Sequence, residues 1–371
     1  MKIAIIGTRG YPYVYGGFET FTKELSERLV AQNVEVHIYC QKNLFTERPQ
    51  QVNGIRLHYI PTVKSKSLNQ LVHSFFSIIH ATFSSVDVIL VLNLAAGPMG
   101  WIPKLAGKKT MINVDGLEWL RPKWKGAGAF YFKVAARLAS KLYDLVITDA
   151  DAMREVYLKE FHTESTVIAY GAPPYVKADL TLLNNFEIKD RDYYLIVGRL
   201  VPDNNADLII RGFMGVKTDK KLIVVGDVPY RDKYAEDLKQ MAADRVMFVG
   251  YINDSQHLMA LYQGCFAYFH GHEYGGTNPA MLKAMSNNCA ILALNTVFNR
   301  EMLDNGRFGL FFEANENSIA EGMIRLEGDS NLTDTMRKNV SLGLNEKYNW
   351  DSVTNKYKSA MLRLYNKHGE K

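Results

Sequence analysis

Two apolar patterns alternate along this chain. Short unbroken runs at Lys2–Gly7, Val34–Cys40, Ile55–Ile60, Val86–Leu92, Lys109–Val114, Leu145–Thr148 and Thr166–Ala169 have the length of strands covered on both faces. Segments with helical spacing separate many of them. In Glu19–Gln32, Phe21, Leu25, Leu29 and Val30 fall on one side. Strand and helix in alternation predict a parallel sheet with helices on both of its faces.

The pattern breaks between Gly171 and Arg191. Pro173, Pro174 and the polar stretch Leu183–Asp190 read there as a linker. It then restarts. Tyr193–Gly198, Lys221–Gly226, Val246–Gly250, Phe266–Phe269 and Ala290–Ala293 predict a second sheet of the same kind. Near the end, Trp350, Val353, Tyr357, Met361, Leu362 and Tyr365 have helical spacing. The expected architecture is α/β: two doubly wound Rossmann-like domains, residues 1–175 and 185–348, facing a cleft, with a helix over 349–371 crossing the junction. In such sheets ligands bind at the carboxyl ends of the strands.

Length and composition agree with this division. The chain has 371 residues, of which 47% are hydrophobic and 22% charged, so each half can bury a core of its own. Leu71–Phe83 is broken by His73, Ser74 and His80, and reads as a buried or amphipathic helix rather than a membrane span. The chain opens directly on a strand without the form of a signal peptide, so a cytoplasmic protein is expected. Cys40, Cys265 and Cys289 are odd in number and far apart, and read as buried thiols rather than a disulfide or zinc framework.

The net charge of +5 is mild and gives no reason to expect a nucleic-acid partner. Its distribution is uneven. Between Trp101 and Lys141 stand nine basic residues and only two acids, Asp115 and Glu118. Either an anionic partner, such as a membrane surface or a phosphate-bearing acceptor, or a solvated helix face accounts for this excess. Ala127–Tyr143 mixes aromatic and basic residues, as surface-binding helices do.

Four segments at strand ends carry candidate chemistry, and each also has a plain structural reading. In Gly7–Glu19, Gly16 and Gly17 open a helix whose free N–H groups suit an anion; a simple turn would also use them. In Asn113–Trp124, Asp115 could position a hydroxyl or stabilise positive charge developing at a sugar carbon, or merely cap an Asx turn. In Val197–Asn205, Arg199 could grip two phosphate oxygens or form a surface ion pair. In Phe269–Met285, His270, His272 and Glu273 precede Gly275-Gly276-Thr277-Asn278. Asn278 suits a helix N-cap and Pro279 the first helical position. That helix start could hold a diphosphate, or be an ordinary capped end. His270 and His272 lack a third ligand nearby, so no metal is expected.

Taken together, these segments resemble the retaining glycosyltransferases of family 4, which have the GT-B fold, and most of all the bacterial polysaccharide branch that contains rhamnosyltransferases. The resemblance rests on Gly7-Thr-Arg-Gly10, Tyr15-Gly-Gly-Phe-Glu19, Val114-Asp-Gly-Leu-Glu-Trp119, Val197-Gly-Arg-Leu-Val-Pro202, Gly276-Thr-Asn-Pro279 and Phe298-Asn-Arg-Glu301, in that order over nearly the whole chain. It implies transfer of a sugar from a nucleotide-diphosphate donor to a glycan or lipid-linked saccharide acceptor in surface polysaccharide synthesis. The expected setting is the cytoplasm, at the inner face of the cell membrane.

The resemblance also implies roles for single residues. Gly16 and Gly17 would lie beside the diphosphate, and Arg199 would neutralise it. Gly276 and Thr277 would offer it backbone groups, with His272 and Asn278 in the same donor-binding loop. Asp115 would face the sugar, and Glu273 would contact it as the first acid of a paired-glutamate motif. No metal or other cofactor would be needed. Two departures stand out: Lys283 falls where the second glutamate usually holds the ribose, and Asn204 where many relatives carry a lysine. Lysine has no acceptor for ribose hydroxyls. These changes motivate the alternative of a catalytically weak or inactive sugar-nucleotide-binding protein. A sugar-nucleotide epimerase on the same fold is a third reading.

Overall fold

A computed structural model of the chain describes residues 1–12, 16–65, 68–228 and 232–369. Tyr15 of the first glycine segment lies outside the described residues. The chain divides into two compact units, Met1–Gly171 with Glu346–Lys371, and Ala172–Asn345.

The first unit is built on eight strands: β1 (Lys2–Ile6), β2 (Glu35–Gln41), β3 (Gln51–Val52), β4 (Ile55–Ile60), β5 (Val88–Leu92), β6 (Lys109–Val114), β7 (Leu145–Thr148) and β8 (Thr166–Val167). They lie in the order β3-β4-β2-β1-β5-β6-β7-β8. All neighbours are parallel except the short β3, which pairs antiparallel with β4. Ile3, the first apolar residue of β1, is in register with Val36 on one side and Val88 on the other. Both neighbours are apolar because a central parallel strand is covered on both faces.

Five helices connect these strands: α1 (Gly17–Ala31), α2 (Asn69–Thr82), α3 (Trp101–Leu105), α4 (Ala127–Leu142) and α5 (Asp151–Phe161). Right-handed crossovers put α1 on one face and α2 to α5 on the other, because the chain moves in opposite directions from β1 after these helices. Strand order reverses between β1 and β5, the place where such sheets open a crevice at their carboxyl edge. The backbone is tight there. Gly7 ends β1 with φ +108°, and a Cβ would lie 1.7 Å from the Leu92 carbonyl oxygen, so no other residue fits.

The second unit has six parallel strands: β9 (Tyr193–Val197), β10 (Lys221–Val225), β11 (Val246–Gly250), β12 (Ala267–His270), β13 (Ile291–Leu294) and β14 (Leu310–Phe312). Their order is β11-β10-β9-β12-β13-β14. The connecting helices are α6 (Ala206–Met214), α7 (Lys233–Lys239), α8 (Ser255–Gly264), α9 (Pro279–Ser286), α10 (Val297–Met302), α11 (Glu316–Gly328) and α12 (Ser330–Asn339). Tyr194 anchors its core, with the Phe266 and Phe269 rings 5.3 and 5.2 Å away. Each such ring contributes roughly 1.5–3 kcal/mol by burial.

The linker segment is more ordered than its polar composition suggests. Leu180–Phe186 forms a 3₁₀ turn with Leu183 buried. Before it, the Gln263 side chain accepts from the Ala178 N–H at 2.9 Å and donates to the Val176 carbonyl at 2.6 Å. The last helix, α13 (Trp350–Gly369), returns to the first unit. Phe21 of α1 meets Trp350 and Tyr357 of α13 at ring separations of 6.1 and 5.3 Å. Asn113 of β6 donates to the Tyr357 hydroxyl at 2.5 Å. The periodic apolar residues of the tail are thus the inner face of this helix.

Candidate functional site

In the first unit the candidate residues follow β1 and β6, which flank β5 at the carboxyl edge of the sheet. Gly16 is the N-cap of α1 and has no side chain to cap with. The helix start is served instead by Glu19, buried in its first turn. The Glu19 carboxylate accepts from the Arg9 N–H at 3.2 Å and lies 3.6 Å from the Arg9 guanidinium. A carboxylate there is favoured by the partial positive charge of the helix end. Gly16 and Gly17 therefore border a helix start that already holds an acid, a partnership invisible in the spacing of the glycines.

Asp115 stands just beyond β6, half-buried. It accepts a hydrogen bond from the Tyr170 hydroxyl at 3.2 Å, and the Tyr170 ring lies 5.2 Å from Phe21 of α1. Asp115 and the first turns of α1 are therefore joined through one aromatic contact. Burial raises the Asp115 carboxyl above its ordinary value; the Arg121 charge opposes this, and Glu118 reinforces it. The loop after Asp115 is tied by Glu118, a residue the sequence did not single out for a role. Its carboxylate takes the Arg121 guanidinium at 3.0 Å, Lys123 at 3.3 Å and the Trp124 indole N–H at 2.9 Å. Burial pushes Glu118 up, but these partners outweigh it and hold the acid below its usual range.

In the second unit the loops after β9 and β12, which are neighbouring strands, are stitched together. Asn204 is the hub. Its amide N–H donates to the Arg199 carbonyl at 2.7 Å, and its side-chain oxygen meets His272 Nδ1 at 2.8 Å. The amide N–H is spent on a carbonyl, so the oxygen faces the ring and His272 Nδ1 is the donor of that bond. The Asn205 side chain donates to the Gly271 carbonyl at 2.9 Å, and the Glu273 N–H to the Asp203 carbonyl at 3.1 Å. Asn299 closes the loop from α10, donating to the His272 carbonyl at 3.1 Å and the Leu294 carbonyl at 2.8 Å.

The next strand over presses on the same place. Gly226, after β10, has φ +138°, and a Cβ would stand 1.8 Å from the Gly198 carbonyl oxygen. Only glycine lets the two loops approach this closely.

The start of α9 is capped as its residues suggest. The Asn278 side chain accepts from the Ala280 N–H at 2.9 Å, and Pro279 takes the first helical position. Gly276 and the buried Thr277 lead into it. Tyr274 donates to the Glu273 carboxylate, and burial together with that bond pushes its hydroxyl up to about 12. His270 is buried against the Tyr268 hydroxyl at 3.1 Å, and burial drives its ring down to about 3, so it is neutral. Its ring is 6.3 Å from that of His272.

Two cations flank this loop. Arg199 is exposed and Lys283, on α9, is half-buried, and among the described residues neither has an acidic partner. Burial lowers the Lys283 ammonium below its ordinary value. A half-buried cation with no counter-ion is costly, and is relieved by an anionic ligand.

Residues 183–342, which contain this loop, match the family described as "Glycosyl transferases group 1". The second unit is a group 1 glycosyltransferase domain. Residues 1–173 match a domain of unknown function (DUF1972). The chain is 26% identical over 203 residues to the N-acetylgalactosamine-N,N'-diacetylbacillosaminyl-diphospho-undecaprenol 4-alpha-N-acetylgalactosaminyltransferase of Campylobacter jejuni. That alignment spans 53% of this chain and about half, 54%, of that relative. An uncharacterized glycosyltransferase of Methanocaldococcus jannaschii, MJ1069, is 26% identical over 98% of this chain and 100% of its own length. The crystal structure of Anabaena Alr3699/HepE in complex with UDP-glucose superposes with a TM-score of 0.75 over 98% of this chain and 100% of that one, at 17% identity. The chain thus has the GT-B fold, and the glycosyltransferase domain contributes the Arg199, Asn204–His272 and α9 elements.

Proposed function

We propose that this chain is a retaining glycosyltransferase that moves a sugar from a nucleoside-diphosphate donor to a glycan or lipid-linked saccharide acceptor in surface polysaccharide synthesis. One observation carries this reading. In a group 1 glycosyltransferase domain, two cations with no acidic partner among the described residues, Arg199 and Lys283, stand in the segments before and after a glycine-rich loop that ends in a capped helix start. That set suits a diphosphate, which needs positive charge and free backbone N–H groups at close range. The Campylobacter relative is named for a lipid-diphosphate-linked acceptor, and the Anabaena structure for UDP-glucose.

Each residue then takes a role in our reading. Arg199, Lys283 and the backbone of Gly276 and Thr277 hold the diphosphate, with Asn278 keeping the helix start in place. Asn204 fixes His272 within the donor loop, and Glu273 binds the sugar. Gly16 and Gly17 allow close backbone approach, and Asp115 positions a hydroxyl in the first unit. The bond from the sugar's anomeric carbon to the diphosphate breaks. The acceptor oxygen bonds from the same face, and its proton leaves with the diphosphate. The departing charge is met by these cations, so no metal ion is assigned to the step. The reaction belongs to the cytoplasmic side of the membrane, and rhamnose is a candidate sugar.

The test is a panel of nucleotide sugars offered with and without acceptors. Acceptor-dependent nucleotide release is expected for one of them. The absence of any release, and of any thermal shift with UDP-sugars or dTDP-sugars, would refute the reading. A second reading, a sugar-nucleotide-binding protein without turnover, is favoured by Asn204, whose amide nitrogen and oxygen are both bonded within the loops. Binding without release would establish it. Donor conversion without acceptor would mark an epimerase.

A further inference from the structure

Helix α2 buries a mixed face and leaves aromatic rings in solvent. His73, Ser74, Ser77 and Thr82 are buried together with Ile78 and Ala81. Phe75 and Phe76 face solvent instead, as does Phe83 just past its end, which is 81% exposed. Rings left outside in this way forgo the burial that drives folding unless another apolar medium takes them up.

The neighbouring helices continue the same face. α3 packs against α2 and leaves Trp101 and Leu105 exposed. α4 lies alongside, its Lys141 carbonyl accepting from Lys104 Nζ at 2.7 Å, and Phe130 projects 72% exposed from its first turn. The charge on these helices has one sign. Their sequences contain no Asp or Glu, while Lys104, Lys133, Arg137 and Lys141 are all exposed. The last three follow at every fourth residue and so line one side of α4. Of these, among the described residues, Lys133 alone reaches an acid, Glu160 at 3.4 Å on α5.

A merely solvated face would mix both signs. A second copy of the chain would bring like charges together. Scattered aromatic rings set among long basic side chains match the boundary of an anionic bilayer. Rings enter the headgroup layer there, and lysine stems reach up to lipid phosphates.

We propose that the face made by α2, α3 and α4 docks on an anionic lipid bilayer. Its use, presenting the enzyme to a lipid-linked acceptor, rests on the function proposed above, but the docking itself needs no substrate.

The test is sedimentation of the full chain with vesicles at low salt and without donor. Wild type is expected to sediment with vesicles containing about one-third phosphatidylglycerol, to bind pure phosphatidylcholine weakly, and to be released by high salt. A Phe76→Ser/Phe83→Ser variant should bind at least about tenfold more weakly, and Lys133→Gln, Arg137→Gln and Lys141→Gln should each cost about fivefold. Both sets should keep the wild-type circular dichroism and melting temperature. Should the aromatic variant fail to fold, the charge variants decide alone.

Wild type left in the supernatant at low salt overturns the proposal. So do variants that bind like wild type, or light scattering that shows a dimer broken by Phe76→Ser. Vesicle binding by a chain that takes no nucleotide sugar would sink the transferase reading and leave the docking face standing. Nucleotide release without vesicle binding would do the opposite.

Discussion

Replacing Gly226 with alanine tests how the fold of the second unit sets its site. Gly226 has φ +138°, and its three nearest contacts for an added Cβ are the backbone O, C and N of Gly198, the closest at 1.8 Å. No flexible side chain can yield, so a peptide must move. Opening 1.8 Å to the 3.0 Å that real Cβ contacts respect takes a shift of about 1.2 Å. The backbone strain alone costs about 1–3 kcal/mol. The shift also disturbs the bond from the Gly198 N–H to the Val225 carbonyl, now 3.0 Å, worth about 1 kcal/mol more. For a unit of this size, such a loss lowers the melting temperature by about 5–15 °C.

The consequence for the site follows from sequence adjacency. Gly198 precedes Arg199, whose carbonyl holds Asn204, which holds His272. A displacement of about 1 Å in positioning groups costs about a hundredfold in rate. Thermal unfolding and the affinity for UDP and dTDP, compared with wild type, read the two effects separately. Gly328→Ala is the control, because nothing lies within 4 Å of its added Cβ. A Gly226→Ala protein that melts within about 2 °C of wild type, with nucleotide affinity within about twofold, would refute the argument that this glycine contact shapes the Arg199 loop.

Arg199→Ala should leave the melting temperature unchanged, since the side chain is exposed, while nucleoside-diphosphate affinity measured by calorimetry falls about 10–100-fold. Lys283→Met should move two readouts in opposite directions: the melting temperature rises because a half-buried cation without an acidic partner is removed, and donor affinity falls about tenfold or more. Stability should depend on pH through the buried His73, whose ring burial holds down to about 4 against an ordinary 6.5. The unfolded chain binds the proton more readily, so the contribution is complete above pH 6.5 and is lost as pH falls toward 4, by about 2 kcal/mol at pH 5. Urea unfolding at stepped pH measures this, and a His73→Leu protein with the same slope would contradict it.

Much of the fold was legible because parallel strands buried on both faces announce themselves as unbroken apolar runs. Twelve strands were anticipated close to their observed positions, and Asn278 and Pro279 mark the start of α9. Two strands were missed. Gln51–Val52 is a two-residue antiparallel edge, and Leu310–Phe312 has three residues, too few for any period to register. In the linker, polarity concealed that Leu183 alone is buried and is enough to hold a 3₁₀ turn.

The candidate site was legible in its residue types and not in its bonds. Arg199, His272 and the α9 start were found from their place at strand ends. Glu118, Asn204 and Asn299 hold those loops in shape, yet a sequence lists only the donors and acceptors each side chain owns, not which ones it spends. Asn204 looked like a departure in a donor-binding position, but its amide is the clasp between two loops.

Helix α2 shows where the limit of periodicity lies. Leu71–Phe83, broken by His73, Ser74 and His80, reads as a buried or amphipathic helix, and a helix forms there, but an apolar stripe leaves open which side meets the sheet. The usual inference, that the apolar stripe turns inward, assumes that water is the only medium outside. Here the buried side takes His73, Ser74 and Ser77 together with Ile78 and Ala81, and the rings of Phe75 and Phe76 turn out. With no acid on α2, α3 or α4 to temper their lysines and arginine, the exposed rings and the basic side chains make up the face proposed above to meet an anionic bilayer. The basic excess read from Trp101–Lys141 and the aromatic residues of α2, distant in sequence, are then two halves of one surface.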